Sequence, residues 1–257
     1  MSKKLRFLSL ILAVSMLISS APVVPAYAQD ETSLSEITNP FASDVSFEVN
    51  GQTVTSKSYR IPAMVTLAEG TIVAAADIRW NTTYDGGGLD TLVARSTDGG
   101  ATWTYKVANY LGDNGNVYNG SHSTAFLDPS LVVAADGKTV YMLVDLYPYG
   151  VALNGSKTNG VDDNTVPSTM VAFNDQGKLL LSGDDHVSYS YYLDGNKIYT
   201  STGTVVEGYT VDEKFNITGS NGIESNLFFE DSPFKVVRTG YLYLTSSADG
   251  GASWSAP

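Results

Sequence analysis

The chain contains no cysteine. That excludes disulfide staples, cysteine-ligated metal centres and a thiol nucleophile. Histidine is nearly absent as well: His122 and His186 lie far apart, and no metal centre is expected from them. Charge is sparse, at 16% of 257 residues, and positive charge is the scarcer sign, with 15 Lys and Arg against 27 Asp and Glu. A net charge of −12 argues against nucleic acid and against anionic membrane surfaces as partners. It leaves open a small anionic ligand, because a local cluster of arginines can reverse the field inside a pocket. A run long enough to span a bilayer is also lacking: Phe7 to Ile18 is the apolar stretch, and it is too short. No segment repeats its apolar residues at a helical period.

What the chain has is aromatic residues and turns: 16 Tyr and 24 Gly in short runs of alternating polarity, the composition of a secreted all-β protein. One turn occurs twice. Ser96-Thr97-Asp98-Gly99-Gly100-Ala101-Thr102-Trp103 and Ser247-Ala248-Asp249-Gly250-Gly251-Ala252-Ser253-Trp254 both fit Ser-x-Asp-x-Gly-x-Thr/Ser-Trp. The Asp can accept backbone N–H groups of its own turn, the Gly supplies a positive φ, and the Trp buries a large ring as the next strand begins. A repeated hairpin implies a repeated sheet, and so a propeller or a related all-β array.

The beginning is a targeting segment. Lys3, Lys4 and Arg6 precede the apolar stretch, and Ala26-Tyr27-Ala28 offers small residues for cleavage after Ala28. Residues 1–28 therefore read as a signal peptide, which makes the product secreted or surface-exposed, and their removal takes three positive charges and leaves −15. Residues 29–45 read as a polar leader. Strands are expected at Ile61–Leu67 and Thr71–Ile78 around Ala68-Glu69-Gly70, at Leu89–Arg95 and Thr102–Val107 around the first repeated turn, and at Leu131–Ala134 and Val140–Leu146 around Ala135-Asp136-Gly137-Lys138. Residues 46–173 read as a first propeller part. Residues 174–226, Tyr-rich and without the repeated turn, read as a small β insertion, and 227–257 return to the propeller.

Four residues could carry chemistry. Arg60 stands in Tyr59-Arg60-Ile61-Pro62 at a strand start. Arg79 closes Asp77-Ile78-Arg79-Trp80. Asp85 precedes three glycines, as at a loop tip, and Asp128 precedes Pro129 before a strand. Singly, each has an ordinary reading: a surface arginine, a solvated loop acid, a turn opener. Asp162-Asp163-Asn164 could bind calcium through its oxygens but reads as a solvated loop.

Their order changes that reading. Arg-Ile-Pro, Asp-x-Arg one hairpin later, an Asp six residues on, the repeated turn, then Asp-Pro before a strand: the succession resembles the bacterial secreted exo-α-sialidases, in which the repeated turn is called an Asp box. The resemblance runs from about Ser58 to Pro257, is densest over 59–145, and with the 174–226 insertion is similar to the clostridial-type enzymes. It implies a partial six-bladed β-propeller with a small β insertion. It also implies a retaining exo-α-sialidase acting on sialylated glycoproteins, glycolipids or oligosaccharides without a cofactor. Arg60 then matches the first of three arginines that grip the sialic acid carboxylate, to which a guanidinium can donate two parallel hydrogen bonds. Arg79 matches an arginine near the 4-hydroxyl, Asp85 the general acid/base, and Asp128 an acid near the N-acetyl and 4-hydroxyl groups. Asp98 and Asp249 are structural in that family.

Sialidases use a Tyr nucleophile in place of a second carboxylate, with a Glu to take its proton and two further arginines. In the family these follow the second repeated turn, and no residue of this chain is assigned to them; Tyr192, Glu224 and Arg238 are candidates by type alone. The chain thus reads as an N-terminal portion, expected to be inactive by itself. A competing reading is a propeller that binds glycans without cleaving them. A third, a structural surface protein, has no specific feature in its favour.

Overall fold

The computed structural model describes residues 38–43, 46–49, 52–80, 83, 85, 88–111, 124–149, 151, 157–158, 161–162, 171–183, 188–222 and 224–256. The signal-peptide segment, most of the leader, His122, His186 and Asp163-Asn164 lie outside them. Every regular element among the described residues is a strand. A hairpin of β1 (Ser46–Val49) and β2 (Gln52–Thr55) comes first. Then β3 (Ser58–Thr66), β4 (Ile72–Arg79), β5 (Leu89–Ser96) and β6 (Thr104–Asn109) form an antiparallel meander. A second meander begins with β7 (Ala125–Val133) and β8 (Val140–Tyr147).

The second meander is completed only much later in the chain, by β18 (Tyr241–Ser247) on the far edge of β8. Between Tyr147 and Tyr241 the chain builds separate sheets. These are a short ladder of β9 (Lys157–Thr158) and β10 (Val161–Asp162), and a four-stranded sheet of β11 (Leu179–Ser182), β12 (Tyr191–Asp194), β13 (Lys197–Thr200) and, after an excursion, β17 (Lys235–Val236). The excursion is a three-stranded sheet of β14 (Tyr209–Val211), β15 (Asn216–Gly219) and β16 (Glu224–Asn226). Leu227–Phe229, apolar enough to pass for a strand, form instead a buried turn after β16.

The strand β4 explains itself. Its run Val73-Ala74-Ala75-Ala76 is covered on both faces and flanked by β3 and β5, so small and β-branched residues fill it without alternation. One apolar core runs from this meander through Phe126, Met142 and Val144 into Leu181, Ile198, Ile217 and Phe234 of the interposed sheets. Burying each such large side chain contributes about 1.5–3 kcal/mol. Opposite that core, the β7–β8–β18 sheet shows solvent an apolar face made of Val132, Tyr141, Leu143, Leu242 and Leu244.

The two repeated turns have the same internal bonding. Ser96 Oγ and Ser247 Oγ donate to Asp98 and Asp249 at 2.7 and 2.8 Å. The same carboxylates accept the backbone N–H of Thr102 at 2.9 Å and of Ser253 at 2.8 Å. These bonds to the charged form hold both carboxyls down at about 2. Both turns lie at the strand ends remote from Arg60 and Arg79, since Ser96 pairs with Ile72 and Ser247 with Val140. The second turn also docks on the first meander: Arg95 Nε donates to the Gly250 carbonyl at 2.9 Å. A Cβ at Gly251 (φ +88°) would stand 2.8 Å from Val73, whereas one at Gly99 (φ +73°) meets nothing. Gly251→Ala is therefore expected to cost about 2 kcal/mol more than Gly99→Ala, which urea unfolding of the two variants measures; equal losses would show that the Val73 contact does not decide the cost.

Candidate active site

The first strand of each meander, β3 and β7, carries a proline, which cannot donate to the ladder and is confined to edges and bulges. In β3 the register slips between Arg60 and Ala63, around Ile61-Pro62, and in β7 between Leu127 and Ser130, around Asp128-Pro129. Each residue before the proline has a left-handed backbone, φ +50° at Ile61 and +56° at Asp128. A β-branched residue in that conformation before proline is strained by about 1–3 kcal/mol. By sequence Asp128-Pro129 is a turn opener ahead of the strand; in the structure it lies inside β7 as a bulge. The two bulges are structural equivalents at corresponding ends of neighbouring strands, and bulges of this kind re-aim side chains.

Arg60 and Arg79 stand at the same end of β3 and β4, because Ser58 pairs with Arg79 and Arg60 with Asp77. Both reach one atom. Asp85 Oδ1 accepts from Arg60 Nη1 at 2.9 Å and from Arg79 Nη2 at 2.7 Å. The two arginines differ in setting: the Arg60 side chain is 47% exposed, that of Arg79 is wholly buried, and Asp85 lies between at 28%. Arg79 also donates to the Thr83 carbonyl at 3.3 Å, which ties it to the loop bearing Asp85.

Beneath them lies Asp77, the acid of the Asp-x-Arg element, to which the sequence reading gave no role of its own. Asp77, wholly buried, accepts from Arg79 Nη2 at 3.1 Å through Oδ2 and from the Asp128 backbone N–H at 2.9 Å through Oδ1. Burial pushes its carboxyl up to about 7 against the opposing pull of Arg79 and the Asp128 N–H. One carboxylate thus fixes a guanidinium of the first meander and the strained bulge of the second. The sequence held one signal for it: Asp77 and Arg79 are two apart on a strand and so share a face.

The loop bearing Asp85 is closed at its base by Trp80 Nε1 donating to Asp90 Oδ2 at 2.8 Å. Asp90 is buried, and that burial raises its carboxyl to about 7, opposed by the Trp80 bond. The stabilisation tied to this raised value is complete below about pH 4, where folded and unfolded chains are both protonated. It is lost as pH rises from about 4 to 7, because the unfolded chain releases the proton first. Asp90→Asn keeps an acceptor for the indole and abolishes this titration. The variant and the parent are expected to melt together near pH 4.5, with the variant ahead by on the order of a few kcal/mol at pH 8. Calorimetry across that range checks it, and parallel curves would contradict it.

Beside Asp128 stand Asp145 and Tyr147. Burial and the Asp128 charge raise Asp145; burial and then the two acids raise Tyr147. Of the residues singled out in the sequence, Arg60, Arg79 and Asp85 thus touch, and Asp128 joins them through Asp77. Tyr192 on β12, Glu224 opening β16 and Arg238 after β17 lie on the interposed segment.

The fold and this site define an all-β protein of partial-propeller type, with an aspartate held between two arginines at one end of β3 and β4. Comparison with known proteins finds sialidases. No protein-family model matches the chain. The anhydrosialidase of Macrobdella decora is 28% identical over 245 residues, 80% of this chain and 31% of its own length. Sialidase B of Streptococcus pneumoniae is 26% identical over 270 residues, 89% of this chain and 37% of its own. The chain spans about a third of the length of these relatives. Among solved structures, the intramolecular trans-sialidase of Ruminococcus gnavus, in complex with oseltamivir carboxylate, superposes with a TM-score of 0.61 at 28% identity. That match covers 78% of this chain and 48% of the other. The chain is thus similar, over most of its described length, to sialidases of bacteria and leech.

Proposed function

We propose that this chain supplies the acid/base and the first carboxylate anchor of a secreted exo-α-sialidase, a glycoside hydrolase removing terminal α-linked sialic acids from glycoproteins, glycolipids and oligosaccharides. The single observation that carries the reading is the convergence of Arg60 and Arg79 on Asp85 Oδ1. A carboxylate already sits where the reading puts a carboxylate ligand beside an acid. When the substrate carboxylate takes the exposed Arg60 guanidinium, Asp85 is released from one of its two partners. Its carboxyl proton can then pass to the glycosidic oxygen as the bond from that oxygen to the anomeric carbon breaks, and the same carboxylate later takes a proton from water. Arg79, held from behind by Asp77, faces the 4-hydroxyl side, and Asp128 the N-acetyl side.

In this reading the Tyr nucleophile, its Glu and two further arginines come from chain beyond residues 1–257. The apolar face of the β7–β8–β18 sheet supports that, since a following propeller sheet would stack on it. Residues 1–28 are then a cleaved signal and 29–45 a leader. The propeller parts are then 46–147 and 241–257, around an insertion wider than the 174–226 read from the sequence, because β17 pairs with β11.

A second reading concerns the fate of the sialyl group. The relatives include an anhydrosialidase and an intramolecular trans-sialidase, which supports transfer to the sugar's own hydroxyl in place of water. The test is to incubate the protein, expressed from its complete reading frame, with sialyllactose and weigh the product. Free sialic acid supports hydrolysis, a product one water lighter supports intramolecular transfer, and binding without release supports a non-catalytic glycan-binding module.

A further inference from the structure

The interposed sheets carry a second concavity that shares no residue with the Arg60–Asp85 site. It has a volume of about 450 Å³, within the usual size for a small-molecule site. Leu180 of β11 and Tyr192 of β12, direct cross-strand partners, form part of its lining. The turns 174–176 and 201–203 and Tyr189 complete its lining.

Its aromatic rings are set in advance. Tyr192 is stacked on Tyr199, outside the concavity, with centroids 5.4 Å apart and planes 10° from parallel. Tyr191 is held edge-on by Phe234 at 5.0 Å. The polar groups are equally defined. Asn174 Oδ1 is occupied by the backbone N–H groups of Gln176 and Lys178 at 3.0 and 2.9 Å, which leaves its NH₂ to donate. Asp175 and Gln176 are exposed beside it. Among the described residues no Lys or Arg lines the space, and Asp175 is the acidic side chain there.

This chemistry is selective. With an aspartate and no cation, the space disfavours phosphate, sulfate and sialic acid itself. A purely apolar ligand would leave the amides and hydroxyls without partners. A neutral pyranose satisfies both, with an apolar C–H face for a fixed tyrosine ring and hydroxyls for amide and carboxylate. We propose that this groove is a saccharide subsite for neutral hexose units, separate from the catalytic centre. The binding assay needs no turnover, so the proposal stands or falls independently of the sialidase reading.

The experiment is a titration of the protein with lactose and, separately, with free sialic acid, followed by shifts of the Asn174 and Gln176 side-chain NH₂ signals. The expected result is saturable binding of lactose in the millimolar range and none of sialic acid at these groups. Binding is expected to weaken at least tenfold in Tyr192→Ala and to be unchanged in Arg60→Ala. Thr202→Trp, on an exposed turn, gives up one hydroxyl bond to Thr200, fills the groove and is expected to abolish binding even where Tyr192→Ala fails to fold. Binding of sialyllactose with the same affinity as lactose would identify the hexose as the neutral end of the substrate, whereas preference for lactose would identify a separate glycan. No saturable lactose binding, or binding that survives Thr202→Trp, would overturn the proposal.

Discussion

Asp85→Asn, in the protein expressed from its complete reading frame, is expected to lower kcat on sialyllactose by about 10²–10⁴-fold, the ordinary worth of a positioned acid/base. KM is expected to change little, because the side chain proposed to grip the substrate is Arg60. The structure gives the reason for such a specific loss. Asp85 is bonded to Arg60 and Arg79 through a single oxygen, so an isosteric amide keeps shape and an acceptor but has no proton to give at the leaving oxygen. The loss is expected to shrink on an aryl sialoside, whose leaving group departs without protonation. A uniform loss on both substrates would point to damaged binding, and unchanged turnover would remove Asp85 from the chemistry.

The second large effect is on stability. Asp77→Ala is expected to cost about 3–5 kcal/mol, because it removes one partner of a buried pair and leaves the other in place. The Arg79 guanidinium is wholly buried. Without Asp77 it keeps Asp85, itself partly exposed, and the Asp128 N–H in the strained bulge loses its acceptor. Asp77→Asn is expected to fall between: its one oxygen can serve Arg79 or the Asp128 N–H, and its NH₂ then faces the other donor. Urea unfolding of the three proteins measures the order. An alanine variant within about 1 kcal/mol of the parent, the ordinary cost of a single substitution, would show that Asp77 does not join the two bulges as described.

The site was more legible in the sequence than its support. Arg60, Arg79, Asp85 and Asp128 were marked by their order and by neighbouring Pro and Gly, which announce bends without saying what the bends bring together. Asp77 was hidden because an acid inside an apolar strand looks like an interruption until the partner across the sheet is known; its second ligand, the Asp128 N–H, is 51 residues away. Asp90 was hidden for the same reason, with Trp80 across the base of the loop. The start of β7 was missed because Pro129 reads as a breaker, and the bulge that accommodates it is a property of two strands together. Local hairpins such as Ala68-Glu69-Gly70 were legible because their turn residues are adjacent. The pairing of β11 with β17 was not, since nothing in either short segment specifies a partner so distant in the chain.

Two exposed features point the same way for behaviour in solution. The apolar face of β7–β8–β18 and the outer edge of β18, which among the described residues is met by Ser255 at Ser246 but by no further strand, invite association. The carboxyls of Asp98, Asp136 and Asp249, all held down at about 2 by hydrogen bonds within their turns, keep the turn ends charged into acid. Their contribution to stability is present above about pH 4 and is lost as pH falls toward 2.

The measurement that reaches the central claim most directly compares an aryl α-sialoside with its carboxylate methyl ester as substrates of the complete protein. If Arg60 and its companions grip a carboxylate beside Asp85, esterification removes charge-assisted hydrogen bonds worth about 1.5–3 kcal/mol each. The account then predicts that kcat/KM for the ester falls by about 10²-fold or more. Equal kcat/KM for the acid and the ester would contradict it.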